Sequence, residues 1–322
     1  MLGASGCTSA GARNAVTIYS GRTQNLVGPL LDRFTQETGI DVDVRYGDSA
    51  ELALLIQQEG ERTPADVFYS QSPGATGFLA GQNRLATLDS DILDLVDPRF
   101  RNGDGLWVGV SGRQRVLVFN QDLIAKDDLP QSVFDVNDPR YAGQVAVAPS
   151  NGSFQDFITA MIVTEGEQTA RDFLDGLVQA DAPTYANNNA IVEAVGRGEV
   201  PMGLTNHYYN YRFLAEDPDL PSRNHLFGGD DIGALLIASP ISILQVTDQP
   251  DAARQLVQFL LNTESQTYFA EETFEYPLAD GVSPAEGIPP LDTLEVPPFD
   301  IDELGGGLDT TLEMIRDSGL SG

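Results

Sequence analysis

From Val16 to Tyr69, apolar runs of strand length alternate with apolar residues at helical spacing, and this alternation restricts the possible folds more than any other feature of the chain. Val16-Thr17-Ile18-Tyr19 reads as a buried strand, followed by the turn Ser20-Gly21-Arg22-Thr23. Leu26, Val27, Leu30, Leu31 and Phe34 then recur with the period of a helix that has one apolar face, up to Gly39, a residue type that commonly stops helices. Ile40-Asp41-Val42-Asp43-Val44-Arg45-Tyr46 alternates as a strand. Leu52, Leu55 and Ile56 mark a second helix ending at Gly60, and Ala65-Asp66-Val67-Phe68-Tyr69 is a third strand, followed by a loop and the apolar Phe78-Leu79. This order predicts an α/β unit with a mainly parallel sheet, because parallel neighbours need a crossover between them and a helix supplies it.

At 322 residues the chain exceeds what one core usually supports, so two lobes are expected. The β-rich stretch Val108–Phe119 is long enough to leave the first lobe and enter the second. Val145-Ala146-Val147-Ala148 predicts a strand running into the loop Pro149-Ser150-Asn151-Gly152-Ser153. Helices are expected through Phe157–Val163, Phe173–Leu177 and Ile191–Val195. Ala234–Ile237 and Ile241–Leu244 read as two return strands, and Leu256, Phe259, Leu260 and Tyr268 as one long helix. A Pro-rich excursion at 277–299 precedes a last helix around Leu312–Ile315. The expected division is a tether at 1–15, a first lobe of 16–113 with 236–285, and a second lobe of 114–235 with 286–322, with the ligand cleft between the lobes.

The formal net charge of −30, from 48 acidic against 18 basic residues, excludes a nucleic-acid partner, since phosphate contact needs a basic surface. Lys126 is the one lysine, so the cations are otherwise arginines, which suit bidentate anion clamps. The single cysteine, Cys7, leaves no internal disulfide and no thiolate metal cage. Its setting, Ala4-Ser5-Gly6-Cys7-Thr8-Ser9, resembles a bacterial lipobox, although no basic and apolar leader precedes it. The expectation is an exported chain, tethered by lipid at Cys7 to the outer face of the cytoplasmic membrane or in the periplasm.

The polar segment Asn206-His207-Tyr208-Tyr209-Asn210-Tyr211 uses its aromatic residues unusually. In a strand, adjacent tyrosines point to opposite faces, but at a bend or helix start both phenol oxygens can converge. Phenolate is a hard oxygen ligand suited to hard cations. With an ordinary pKa of about 10, a phenol ionises at neutral pH only beside strong positive charge, which a ferric ion supplies. Packing on a lobe surface, or stacking on a ligand, is the alternative reading.

Several ordered segments together resemble the ferric-ion-binding proteins of bacterial ABC importers, iron-handling members of the type II periplasmic binding protein fold. They are Ile18-Tyr19-Ser20-Gly21-Arg22, Thr63–Tyr69, Ser111-Gly112-Arg113-Gln114-Arg115-Val116, and Gly198-Glu199-Val200-Pro201 leading into Asn206–Tyr209. Gly233-Ala234-Leu235 and Glu275-Tyr276-Pro277-Leu278 complete the set, which spans residues 16–320. The resemblance implies two lobes, each a mixed, mainly parallel sheet flanked by helices, joined by a β-strand hinge and closing on ligand. It implies iron(III) as cargo, Tyr208 and Tyr209 as its ligands, and a synergistic anion, carbonate or phosphate. The anion cradle would be Asn151, Gly152 and Ser153 at a helix start, where free N–H groups favour negative charge. Asn188 and Asn206 would flank it, and Arg113 or Arg115, two apart on a strand and so on one face, would clamp it. An ABC permease in the cytoplasmic membrane is the implied partner, with the receptor a monomer.

The chain departs from the family pattern in its first lobe. Where many members carry a histidine ligand the stretch reads Gly21-Arg22-Thr23-Gln24, and where some carry a glutamate it has Gln71, within Phe68-Tyr69-Ser70-Gln71-Ser72. Ser20, Ser70 and Gln71 are then neutral residues expected to line the cleft, and Arg22 could help to hold an anion. His207 points away from its neighbours in an extended turn, and Tyr19, Tyr69 and Tyr185 are expected to pack or to line the cleft. A related receptor for an oxyanion, thiamine or a polyamine is the alternative. No Gly-x-Ser-x-Gly elbow, P-loop, His-Glu-x-x-His or Cys/His pair points to an enzyme.

Overall fold

The computed structural model describes residues 15–320; the expectation at Cys7 lies outside them. Strand β1 (Ala15–Ser20) is followed by helix α1 (Gln24–Thr38), whose buried face is Leu26, Val27, Leu30, Leu31 and Phe34. Gly39 ends it in the left-handed conformation at φ 72°, a backbone state open to glycine at little cost. Strand β2 (Asp41–Tyr46) lies beside β1, and helix α2 (Ser49–Glu59) starts where the Asp48 carboxylate accepts the Ala50 N–H. Strand β3 (Val67–Tyr69) pairs with the other side of β1.

The apolar Phe78-Leu79, expected after a loop, belongs to helix α3 (Pro73–Gly81), begun by Ser72 as its cap and Pro73 in the first turn. A single turn, α4 (Ser90–Leu93), precedes β4 (Val108–Asn120), thirteen residues buried along their whole length. Then come β5 (Val145–Ala146), α5 (Gly152–Glu165), α6 (Glu167–Gln179), α7 (Asn188–Gly196), β6 (Met202–Asn206), α8 (His207–Glu216) and β7 (Ser222–His225).

The two expected return strands are one, β8 (Leu236–Ile243). Pro240 would normally interrupt a ladder, since it has no N–H to give. Here the register of β4 shifts between Gly109 and Ser111, opposite the proline, and the strand continues past it. The expected long helix is two, α9 (Pro250–Leu260) and α10 (Thr263–Glu271). The break is a fresh cap, with the Asn262 side chain accepting the Ser265 N–H at 2.8 Å. Strand β9 (Tyr276–Pro277) returns to β4, and α11 (Leu308–Ser318) ends the described chain.

The strands run in the order β2-β1-β3-β8-β4-β6-β5, with β7 and β9 also on β4. The sheet is mixed, but among the named strands parallel pairing is confined to β1–β2, β1–β3 and β5–β6, with one further parallel bridge between Val147 and Thr184. Antiparallel pairs are the commoner kind among the described strands, because β4 and β8 run back through the sheet and β4 meets β6, β7, β8 and β9. Strand β4 is the seam. Its first part, through Gln114, pairs with β8, and from Arg115 it pairs with β6. The C-terminal segment also divides its contacts. Residues 301–306 pack on α3, and Asp302 accepts from the Asn102 side chain and the Gly103 N–H, at 3.0 and 2.7 Å. Helix α11 packs on α5 and α6.

Candidate functional site

Tyr208 and Tyr209 occupy the first turn of α8, directly after β6, and both are buried. A helix start brings consecutive side chains closer in direction than a strand does, and the two rings lie with centroids 4.0 Å apart at 31°. The Tyr208 hydroxyl has no hydrogen-bond partner, whereas Tyr209 accepts from Gln71 Nε2 at 3.3 Å. Burial, then the neighbouring Tyr209, pushes the Tyr208 phenol well above its ordinary pKa, so this group ionises only if a cation arrives.

Three arginines surround the pair, all essentially inaccessible to solvent. Arg22 follows β1 and sits 5.9 Å from the Tyr208 ring centre. Its Nη2 meets the buried Glu275 carboxylate at 2.5 Å, and Glu275 also accepts from Ser111 and Thr273. Arg22 was expected to hold an anion; a protein carboxylate already occupies one edge of its guanidinium, while Nε and Nη1 have no partner. Arg113 donates to the Gln71 and Ala238 carbonyls, leaving its Nε and Nη1 free. Arg115 reaches Ser153 Oγ at 3.5 Å, leaves Nη2 free, and lies over the Phe157 ring. Burial and then the adjacent Arg113 charge lower the Arg115 pKa to about 9, the mark of positive charge held without enough negative charge nearby.

The loop before α5 converges on the same place. Asn151 caps the helix, accepting from the Ser153 N–H at 3.1 Å and the Ser153 hydroxyl at 2.6 Å. Asn188, at the start of α7, donates to Ser153 Oγ at 3.3 Å, and its own Oδ1 is unpartnered. Gly152 opens α5, and Asn206 faces Arg115 across the β4–β6 ladder with both amide atoms buried and unpartnered. Ser153, Asn188, Arg115 and Asn206 thus present several unsatisfied polar atoms at a helix start, a costly arrangement unless something polar enters.

Ser20 and Ser70 hold their own loops: Ser20 Oγ donates to the Arg22 carbonyl and Ser70 Oγ to the Ser72 carbonyl. His207 stays out of the site. Its Nδ1 accepts the Gln114 N–H at 3.1 Å, its ring lies on Tyr276, and burial lowers its pKa to about 3, so it is neutral. Tyr19 donates to Glu59, while the Tyr69 hydroxyl is buried and unpartnered, and burial raises its pKa. Among the described residues no three His, Cys, Asp or Glu side chains converge as a metal cage. A metal here would depend on the phenols.

Two acids escaped the sequence reading. Glu275 begins a segment that carries the family resemblance, but no site role was read for it. Asp156 is the acid in the apolar run Phe154–Met161 of α5, one helical turn beyond Ser153, and an acid in such a run is a legible sign of a buried partner.

The sequence pattern described as bacterial extracellular solute-binding protein matches residues 19–267. The chain belongs to that family. Its relatives include the Fe(3+)-binding periplasmic protein of Serratia marcescens, 28% identical over 99% of this chain and 95% of the relative. The major ferric iron-binding protein of Neisseria meningitidis is 31% identical over 88% of this chain and 86% of the relative. Among solved structures, iron-bound HitA from Pseudomonas aeruginosa superposes with a TM-score of 0.90 at 35% identity, covering 95% of this chain and 99% of that one. The solute-binding protein described here therefore has the two-lobe type II periplasmic binding protein fold, and it is a transport receptor, not an enzyme.

Proposed function

We propose that this solute-binding protein is the ferric-ion receptor of an ABC importer, holding iron(III) through Tyr208 and Tyr209 with a synergistic anion and delivering it to a membrane permease. One observation carries the reading: two adjacent, buried phenols with closely packed rings at the start of α8, ringed by guanidinium groups with unpartnered donors. The names of the relatives, ferric iron-binding in each case, point to the same cargo.

The charges support the anion as well as the metal. Once a metal has ionised them, the two phenols together with Glu275 offset the charges of Arg22, Arg113 and Arg115. The three charges of the ferric ion then call for further negative groups. Asp156 supplies one, and a dianion such as carbonate or hydrogen phosphate supplies the rest. The Arg115, Ser153, Asn188 and Gly152 cradle suits that anion, with Asn206 beside it. The same orphaned donors favour a small oxyanion without metal as the second reading, and they disfavour thiamine or a polyamine, whose positive charge would meet three buried arginines.

The lobes we assign are 16–114 with 236–306, and 115–235 with 307–320. This moves the last crossing from 286 to about 307, because residues 301–306 bond to Asn102 and Gly103. A periplasmic monomer anchored through Cys7 completes the proposal. The test is the visible absorption of the purified protein titrated with ferric citrate, with and without bicarbonate. We expect a broad phenolate-to-iron band at one iron per chain, stronger with bicarbonate and absent in Tyr208→Phe/Tyr209→Phe. No band at saturating iron, with tight phosphate binding instead, would move the assignment to the oxyanion receptor.

A further inference from the structure

Asp156 contacts neither tyrosine in any hydrogen bond, yet it lies on the line where the two lobes meet. It projects from α5, which packs chiefly on α6 and α11 of the second lobe, and its Oδ1 accepts from Ser72 Oγ at 2.5 Å and from the Gly74 N–H at 3.3 Å. Ser72 and Gly74 form the start of α3 in the first lobe. The approach is close: a Cβ at position 74 would stand 2.9 Å from that same carboxylate oxygen and push it aside. The other oxygen, Oδ2, is buried without a partner. Another cross-lobe hydrogen bond at the site runs from Gln71 Nε2 to Tyr209. Among the described residues, the Asp156 contact joins a charged group to a helix start across the cleft.

We propose that Asp156 is the positioning residue that latches the cleft shut, its carboxylate docking on Ser72 and the Gly74 N–H at the head of α3 and so setting how long the lobes stay closed over the cargo. With a trivalent cation in the cleft keeping Asp156 ionised, its carboxylate accepts from an N–H and a hydroxyl at a helix start, a charge-assisted contact favoured by the helix dipole. Opening the lobes breaks both bonds at once and returns the carboxylate to water.

The latch also responds to protons. Burial pushes the Asp156 carboxyl up to about 7, against the opposing effects of the Ser72 hydrogen bond and of Arg113, the Gly74 N–H and Arg115, the groups that face it from α3 and β4. A carboxyl whose pKa is higher in the closed form than in the open one takes up a proton on closing. In the empty protein closure is therefore favoured at acid pH and is lost as pH rises through about 7. A bound trivalent cation reverses the preference, because it stabilises the ionised carboxylate.

The inference rests on the receptor reading for its cargo but not for its geometry, and the experiment separates the two. Iron-loaded wild type, Asp156→Ala, Asp156→Asn and Ser72→Ala are mixed with excess EDTA and the loss of the visible band is followed. Asp156→Ala and Ser72→Ala are expected to release iron about tenfold faster or more, the loss of a hydrogen bond to a charged group, with the band position unchanged because the iron ligands are intact. Asp156→Asn keeps the shape and an acceptor oxygen and covers the case in which the alanine variant fails to fold; its release is expected to lose the wild-type pH dependence across neutrality. Wild-type release rates in all three would overturn the latch. If wild type itself takes up no iron, the cargo assignment fails instead. The latch is then read by small-angle scattering of the empty chains at about pH 5.5 and about pH 8.5. A wild type more compact at the acid pH, with Asp156→Asn the same at both, supports it, and identical wild-type radii overturn it.

Discussion

The two walls of the cleft are built differently. The second-lobe wall is rich in groups that bind: the Tyr208–Tyr209 pair at the head of α8, and Ser153, Asn188 and Asn206 gathered around Arg115. The first-lobe wall brings an amide and two arginines: Gln71 touches Tyr209, Arg22 has one edge on Glu275, and Arg113 donates to the Gln71 and Ala238 carbonyls. On the proposed reading the second lobe would supply the metal ligands and the first would cover them. A receptor of this kind can load on one open face and be committed by closure, and its specificity then resides in a single lobe.

The largest test of that asymmetry is Tyr208→Phe/Tyr209→Phe. It should weaken iron binding by well over about a hundredfold, more than the loss of an outer-sphere partner costs a metal site, with the visible band abolished. Retained binding in a competitive chelator titration would break the assignment of the cargo to the second lobe. Next is Glu275→Gln on the other wall, which strands Arg22 as a buried, unpaired charge. We expect about 3–5 kcal/mol lost in urea unfolding, since an ion pair broken on one side leaves the desolvation uncompensated. Stability, not cargo specificity, should suffer, and a large affinity change at unchanged stability would show that the first lobe binds after all. Arg115→Gln should cost about 1.5–3 kcal/mol in anion binding, read as the bicarbonate concentration needed for half the visible band. The smallest and most discriminating change is Gln71→Glu, which puts a hard anionic oxygen beside Tyr209. About tenfold tighter iron and a shifted band are expected if the first wall lacks only a ligand. No change in the titration would mean that Gln71 serves purely to cap Tyr209.

Much of this was legible in the residues. The alternation from Val16 to Tyr69 is a periodicity, and each of its elements appears, down to the left-handed Gly39 and the Asp48 cap. The tyrosine pair was legible because adjacent aromatic residues in polar company make sense mainly at a helix start. What escaped depended on partners far apart in the chain. Pro240 looked like the gap between two strands, because the β4 bulge opposite it lies more than a hundred positions away. Glu275 gained meaning only when Arg22, 253 positions earlier, came to its side. Asp156 likewise needed Ser72, 84 positions off, although its place in an apolar helix was a visible anomaly. The antiparallel majority of the sheet has the same origin, since β4 crosses from β8 to β6 and no local pattern encodes a strand's neighbours.

Strand β4 carries Arg113 on the part paired with β8 and Arg115 on the part paired with β6, so the strand that joins the lobes also bears two of the groups around the cargo. Joint and sensor are one piece of backbone. Any flexing there rotates one guanidinium relative to the other, and any ligand that fixes both stiffens the joint. The elasticity of thirteen buried residues is thereby part of the receptor's affinity. Substitutions away from Tyr208 and Tyr209, such as one that fills the bulge at Gly109, are then expected to alter the residence time of a bound ligand by changing how the strand bends.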